Sequence, residues 1–135
     1  MKTRRTIIAM ARLAALGTIL AAGTGLASAA ETRPFSDAAF EAAQNSGKPI
    51  LVEVSAPWCP ICKTQKPILA KLAEQPRFKD LQIFDIDFDS QKQLLRRLDV
   101  RMQSTLIAYK GSTEVGRSVG ETQPEWIEGL VEKTL

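Results

Sequence analysis

The sequence contains no histidine, two cysteines and one tyrosine among its 135 residues. A metal site of the zinc type takes about four ligands, so one cysteine pair without histidine does not complete such a site in a single chain. The length allows one ordinary domain. Apolar residues make up 44% of the chain and charged residues 24%, which is typical of a folded globular protein rather than a disordered one.

The positive charge is concentrated at the start of the chain. The formal net charge is +3, but four of the basic residues lie within the first twelve positions. From residue 30 onward, 14 basic residues face 15 acidic ones. This balance provides no basic surface for nucleic acid or for an anionic membrane, so we expect neither as a partner.

Residues 1–29 have the features of a signal peptide for export. A positively charged start and an apolar run rich in alanine and leucine precede Ala27-Ser28-Ala29, a small-x-small pattern that signal peptidase recognises. We expect cleavage after this tripeptide, with cleavage after Ala30 as the alternative. The predicted mature domain, residues 30–135, is then periplasmic.

Two alternatives concern the same leader. An uncleaved membrane anchor is less favoured, because Gly17, Gly23 and Gly25 interrupt the apolar run and a spanning helix needs about 20 strongly apolar residues. We expect export by the general secretory (Sec) route. Arg4 and Arg5 also fit a twin-arginine signal, which is the alternative route.

Hydrophobic periodicity predicts elements in the order α-β-α-β-α-β-β-α. The predicted segments are helix 36–45, strand 49–56, helix 59–74, strand 81–88, a helix ending near 98, strands 105–109 and 114–119, and a terminal helix. Ser90–Gln93 and Thr122–Glu125 match capping boxes that would open the last two helices. A crossover unit followed by a terminal hairpin predicts an α/β fold, with a central mixed β-sheet flanked by helices.

The residues that carry chemistry are concentrated in Trp58-Cys59-Pro60-Ile61-Cys62, between a predicted buried strand and the start of a helix. Two cysteines at this spacing can bring their sulfurs within disulfide distance. The N–H groups and the dipole of the helix start favour a thiolate and so lower the pKa of Cys59. We therefore expect Cys59 to be an exposed attacking sulfur, and Cys62 to be a more buried resolving sulfur.

Other roles for the two cysteines remain open at this stage. A purely structural disulfide would close a very short loop and stabilise the fold little. A metal or cluster site would need two copies of the chain to share their cysteine pairs. A strand-to-helix cysteine pair with two intervening residues is more often a redox motif.

The mature sequence resembles the thioredoxin family over residues 35–135. Val52–Cys59 is similar to the segment that leads from a strand into the family's active site, and Pro67 falls where the active-site helix carries a kinking proline. Val100–Thr105 aligns with the segment before the fourth strand, and Gly120 with a glycine after the fifth. The resemblance implies a thioredoxin fold and thiol–disulfide exchange with protein substrates.

One departure from the family concerns the loop beside the disulfide. The family has a cis-proline before a threonine, and this chain has Ser104 before Thr105. A cis bond before a residue other than proline costs about 2.5–4 kcal/mol, so we expect a trans bond and a reshaped loop. The resemblance implies that Trp58, Pro60, Ser104 and Thr105 bind substrate. Ser104 could equally be a tolerated loop residue.

A second departure concerns the buried acid, which is Glu53 here and an aspartate in the family. Burial would raise the pKa of Glu53, and the carboxyl could take the proton of Cys62 during exchange. A surface glutamate is the alternative. Asp85 stands where the family often has a lysine partner, so we expect the acid to lose a cation and gain a like charge. Lys63 and Lys66 are interpreted as solvated helix charges.

Together these observations predict an exported thiol–disulfide oxidoreductase, with reduction of protein disulfides as the favoured direction. Its redox group is the Cys59–Cys62 disulfide, with no other cofactor and no metal. Electrons would come from a thiol donor embedded in the membrane, because cytosolic reductases cannot reach an exported protein, and the chain is expected to be a monomer. An oxidase or isomerase is the first alternative, supported by Pro60-Ile61, and a dimeric metal- or cluster-binding module is the second.

Overall fold

The computed structural model describes residues 30–135, so the predicted signal peptide lies outside the described residues. The strands are β1 (Thr32–Pro34), β2 (Pro49–Ser55), β3 (Gln82–Asp87), β4 (Thr105–Lys110) and β5 (Thr113–Val119). The helices are α1 (Asp37–Asn45), α2 (Pro60–Ala73), α3 (Lys92–Arg97) and α4 (Pro124–Glu132), with a short 3-10 helix at Pro76–Phe78. Among these residues, no helix combines the length and the apolar character needed to cross a membrane.

The described strands form one mixed sheet in the order β1-β3-β2-β4-β5. β3 pairs in parallel with both β1 and β2, whereas β4 pairs antiparallel with β2 and β5. β2 is therefore the central strand, and all its residues after Pro49 are buried. The expected α/β fold with a central mixed sheet is confirmed.

Alternate side chains of β2 belong to two separate cores, as the period of a strand requires. Leu51 packs in the core on the side of α2 and α4, with Leu69 and Ile127. Val52 packs in the core on the other side, with Phe84 and Leu95. Glu53 follows Leu51 by two residues, so its side chain belongs to the face that α2 covers.

The structure contains two elements that the sequence did not predict. β1 is a strand of three exposed residues, and it pairs with β3 through Thr32 and Ile83 and their neighbours. The 3-10 helix places Phe78 in the core, where it is fully buried. Both elements are too short to produce a hydrophobic period in the sequence.

The two predicted capping boxes are wrong. The Ser90 hydroxyl donates to Asp87 Oδ2 (2.6 Å) instead of capping α3, which begins at Lys92. At the start of α4, Glu121 Oε1 accepts the N–H groups of Thr122 (2.9 Å) and Gln123 (2.8 Å). A carboxylate before the helix thus accepts the Thr122 N–H, which the Glu125 side chain would have accepted in the predicted box.

Three segments meet at the end of β2 and position the candidate site. The turn from Ala56 to Cys59 is closed by a hydrogen bond from Cys59 N–H to Ala56 O (3.1 Å), and α2 follows at once. Ser104 donates its N–H to Val54 O (2.8 Å) and accepts the N–H of Gly120 (3.0 Å). These backbone bonds bring the segment before β4 and the residue after β5 next to the start of α2.

Candidate active site

Cys59 and Cys62 form a disulfide at the N-terminus of α2, with their Cα atoms 5.3 Å apart. Cys59 is the N-cap residue of this helix, and its Sγ accepts a hydrogen bond from the N–H of Cys62 (3.1 Å). Pro60 occupies the first helical position, where its fixed φ suits a helix start and its missing N–H costs nothing. A sulfur that caps a helix receives both an N–H donor and the positive end of the helix dipole.

The expectation that Cys59 is exposed is wrong for this oxidised form. Cys59 is 0% exposed and Cys62 is 1% exposed. Both pack in a small apolar cluster with Ala56, against the partly buried Phe88. An incoming thiol has to reach one of these sulfurs, so some neighbouring group must move before exchange begins.

The residues that flank Cys59 in sequence are on the surface. Trp58 is 54% exposed, and its indole N–H donates to Asp89 Oδ2 (2.9 Å). The Trp58 ring stands edge-on to Phe88, with 6.3 Å between the ring centres. Trp58 and the exposed Pro60 are therefore accessible to a partner, as their predicted role in substrate binding requires.

Glu53 is buried beside an ion-pair partner that the sequence analysis did not assign to it. The residue is 1% exposed, which excludes the alternative of a surface glutamate. Lys66 of α2 places its Nζ 3.3 Å from Glu53 Oε1 and 4.0 Å from Asp85 Oδ2. The expected loss of a cation is therefore wrong: the cation comes from α2 rather than from β3. The Lys66 side chain is 49% exposed, so it is solvated as interpreted, and it also pairs with Glu53.

The expected like charge is present, because Asp85 is the register partner of Glu53 on β3. Asp85 Oδ1 also accepts a hydrogen bond from the Ser55 hydroxyl (2.7 Å). Burial raises the pKa of Glu53, Lys66 lowers it, and Asp85 raises it again, with burial as the largest effect. The predicted direction is confirmed, and a carboxyl with a raised pKa is a better proton acceptor than an ordinary glutamate.

The Ser104 loop consists of residues 101–104. The backbone of Ser104 has a positive φ, which a proline cannot adopt because its ring fixes φ at about −65°. No cis peptide bond occurs within residues 30–135, so the expected trans bond is confirmed. Ser104 has φ +60°, in the left-handed region that costs a residue with a Cβ about 1–2 kcal/mol. Its N–H bond to Val54 O is one that a proline could not make.

Two side-chain hydroxyls bond to carbonyl groups of the Ser104 loop. The Thr105 hydroxyl donates to Met102 O (2.7 Å), and the Ser104 hydroxyl donates to Gln103 O. Ser104 and Thr105 are 3% and 2% exposed. In this conformation, the two residues support the shape of the loop, and contact with a substrate would require the loop to open.

Gln65 is a site residue that the sequence analysis missed. It lies one turn after Cys62 on the buried face of α2 and is 0% exposed. Its side-chain amide donates to Ser104 O (3.2 Å) and to Glu121 O (2.9 Å). A polar residue at an apolar helix position was the available signal, because buried amides need hydrogen-bond partners.

Comparison with known proteins gives concordant matches. The family model described as Thioredoxin matches residues 31–133. The solved structure of Trxlp from Edwardsiella tarda EIB202 is 48% identical with a TM-score of 0.72, and the match covers 75% of this chain and 98% of that one. Thioredoxin H2-1 of Oryza sativa subsp. japonica is 31% identical over 99 residues, 73% of this chain and 67% of the relative. Thioredoxin-2 of Saccharomyces cerevisiae is 37% identical over 82 residues, 60% of this chain and 77% of the relative.

Replacement of Glu53 by glutamine should change the pH dependence of stability. Because burial raises the pKa of Glu53 in the folded state, the neutral carboxyl favours folding at low pH, and this contribution is lost as the pH rises through the raised value. The free energy of unfolding of Glu53→Gln should therefore increase relative to wild type between pH 4 and pH 8, as measured by denaturant titration of the oxidised protein.

Glu41→Gln on the exposed face of α1 is the matched control and should show no such change. A Glu53→Gln difference that is constant with pH, or that decreases as the pH rises, would contradict the assignment of a raised pKa.

Proposed function

Since the chain belongs to the thioredoxin family of thiol–disulfide oxidoreductases, we propose that it is an exported reductase of protein disulfides. The observation that carries this proposal is the position of Cys59 at the N-cap of α2, where its Sγ accepts the N–H of Cys62. The same contact would stabilise a Cys59 thiolate in the reduced protein. The buried acid Glu53 and the exposed Trp58 complete the proposed site.

In the proposed reaction, the Cys59 thiolate attacks one sulfur of a substrate disulfide and forms a mixed disulfide, and the other substrate sulfur leaves as a thiolate. The Cys62 thiol passes its proton to Glu53 and attacks Cys59. The mixed disulfide breaks, the Cys59–Cys62 disulfide forms, and the second substrate sulfur leaves as a thiolate. Two electrons have moved from the protein to the substrate.

Several features support the direction and the location that we propose. Pro60 supplies no N–H, so the Cys62 amide is the donor that reaches Cys59 Sγ in the structure. Fewer donors stabilise the thiolate less, and a less stabilised reduced form is a stronger reductant, so this donor count supports a reductase although the Pro60-Ile61 pair by itself is nearer the oxidase pattern. Export is supported by the leader features of residues 1–29, and it would make a membrane-embedded thiol donor the source of electrons. We expect the protein to act as a monomer.

Substitution of each cysteine by serine should separate the two roles. Cys59→Ser should reduce the disulfides of insulin no faster than the uncatalysed reaction, because the attacking thiolate is lost. Cys62→Ser should accumulate mixed disulfides with protein substrates, because the resolving thiol is absent. Turbidity of reduced insulin and non-reducing electrophoresis measure the two effects. Full turnover by Cys59→Ser would contradict the role assignment.

The reduction potential should distinguish a reductase from an oxidase. We expect a reduction potential of about −270 mV, as for thioredoxin, from equilibration with a thiol buffer. A potential of about −120 mV would instead identify an oxidant.

Pro60→Ala is the matched variant, since it restores an N–H at the first helical position. The potential of this variant should become less negative, because a further donor can stabilise the thiolate.

A further inference from the structure

Before the disulfide can react, a segment that covers the two sulfurs has to move, and the exchange chemistry does not identify that segment. Both cysteines are buried, yet a thiol must approach one of their sulfurs closely to exchange with it. The elements beside the pair are the Trp58 turn on one side and the Ser104 loop on the other. The Ser104 loop is a candidate for this movement, because the Val54 O that lies 3.9 Å from Cys62 Sγ also accepts the Ser104 N–H at 2.8 Å.

The Ser104 loop is held in place against a local conformational cost. Ser104 has φ +60°, which favours glycine, so the loop would relax if its hydrogen bonds were lost. Ser104 O accepts two bonds, one from the Gly120 N–H (3.0 Å) and one from Gln65 Nε2 (3.2 Å). The bond from Gln65 is the one among these that comes from a side chain, and it therefore depends on residue type.

Gln65 is suited to this task by its position and by its hydrogen bonds. It lies on the same buried face of α2 as Cys62, among the apolar residues Leu69 and Leu72. Its amide nitrogen donates to Ser104 O and Glu121 O, whereas its buried Oε1 has no hydrogen-bond partner. A leucine would avoid the unpaired oxygen, so burial alone does not account for a glutamine. Its two donations do.

We propose that Gln65 is a positioning residue: its side-chain amide holds the Ser104 loop closed against the Cys59–Cys62 disulfide. The closed loop slows the attack of small thiols on this disulfide. A protein substrate or donor gains access by displacing the loop as it binds. This inference rests on the proposed function, since it concerns the same disulfide. The closed loop would let the protein distinguish protein partners from small thiols, a selectivity that the exchange chemistry alone does not provide.

Reduction of the oxidised protein by dithiothreitol tests this proposal. One dithiothreitol sulfur attacks the disulfide, the other closes the reductant into a cyclic disulfide, and Cys59 and Cys62 are released as thiols. Gln65→Met keeps the length of the side chain and removes both donations. Its reduction should be about tenfold faster than that of wild type, because the loss of two buried hydrogen bonds raises the population of the open loop.

Leu69→Val is the matched control, because Leu69 lies on the same buried face of α2 and makes no bond to the loop. Its reduction rate should stay within about twofold of wild type, as expected if general loosening of the helix has no effect. An unchanged rate in Gln65→Met, or an equal acceleration in Leu69→Val, would overturn the proposal.

If Gln65→Met does not fold, amide hydrogen exchange of the wild-type protein tests whether the Ser104 loop is held closed. The amide hydrogens of Ser104 and Gly120 should exchange slowly in the oxidised form, and fast exchange at both would overturn the proposal. Insulin reduction is measured separately. An inactive wild-type protein whose disulfide is still opened faster in Gln65→Met would refute the proposed function and leave the loop contact standing.

Discussion

The hydrogen bond from the Cys62 amide to the Cys59 sulfur is the contact on which the rest of the site depends. It exists because α2 begins immediately after the central strand β2, so that the first cysteine caps the helix and the second lies in its first turn. The cap position gives the sulfur a donor and the positive end of a dipole. Burial, the nearby acid and the Ser104 loop then determine how that sulfur can be used.

Two of the departures that the resemblance implies, at Asp85 and at Ser104, each have a compensating contact elsewhere in the fold. Asp85 replaces a cation on β3, and Lys66 of α2 supplies a cation to Glu53 instead. Ser104 replaces a proline, and its N–H forms a bond to Val54 O that the proline would lack. In both cases, a group from another element pairs with the buried residue: Lys66 pairs with Glu53 by charge, and Val54 O accepts the Ser104 N–H.

The longer helices and strands of this structure were predictable from sequence, whereas the helix caps, the two shortest elements and the contacts between distant segments were not. Period and composition predicted β2 and α2, the cysteine spacing allowed a disulfide at the start of α2, and the resemblance to the thioredoxin family implied that Glu53 is buried. They did not predict that Gln65 reaches Ser104, because helical spacing identifies the buried face of a helix but not the loop that packs against it. The burial of Cys59 has the same origin. Its position in α2 suggested exposure, whereas packing with Phe88 and Ala56 removes it from solvent.

The central claim, that the start of α2 stabilises a thiolate at Cys59, is tested most directly by titration of a single thiol. Since the chain has two cysteines, the Cys62→Ser protein retains Cys59 alone, and its ultraviolet thiolate absorbance can be followed against pH. The account predicts a Cys59 pKa clearly below the value of about 8.5 for a free cysteine. A thiol that titrates at or above that value would contradict it.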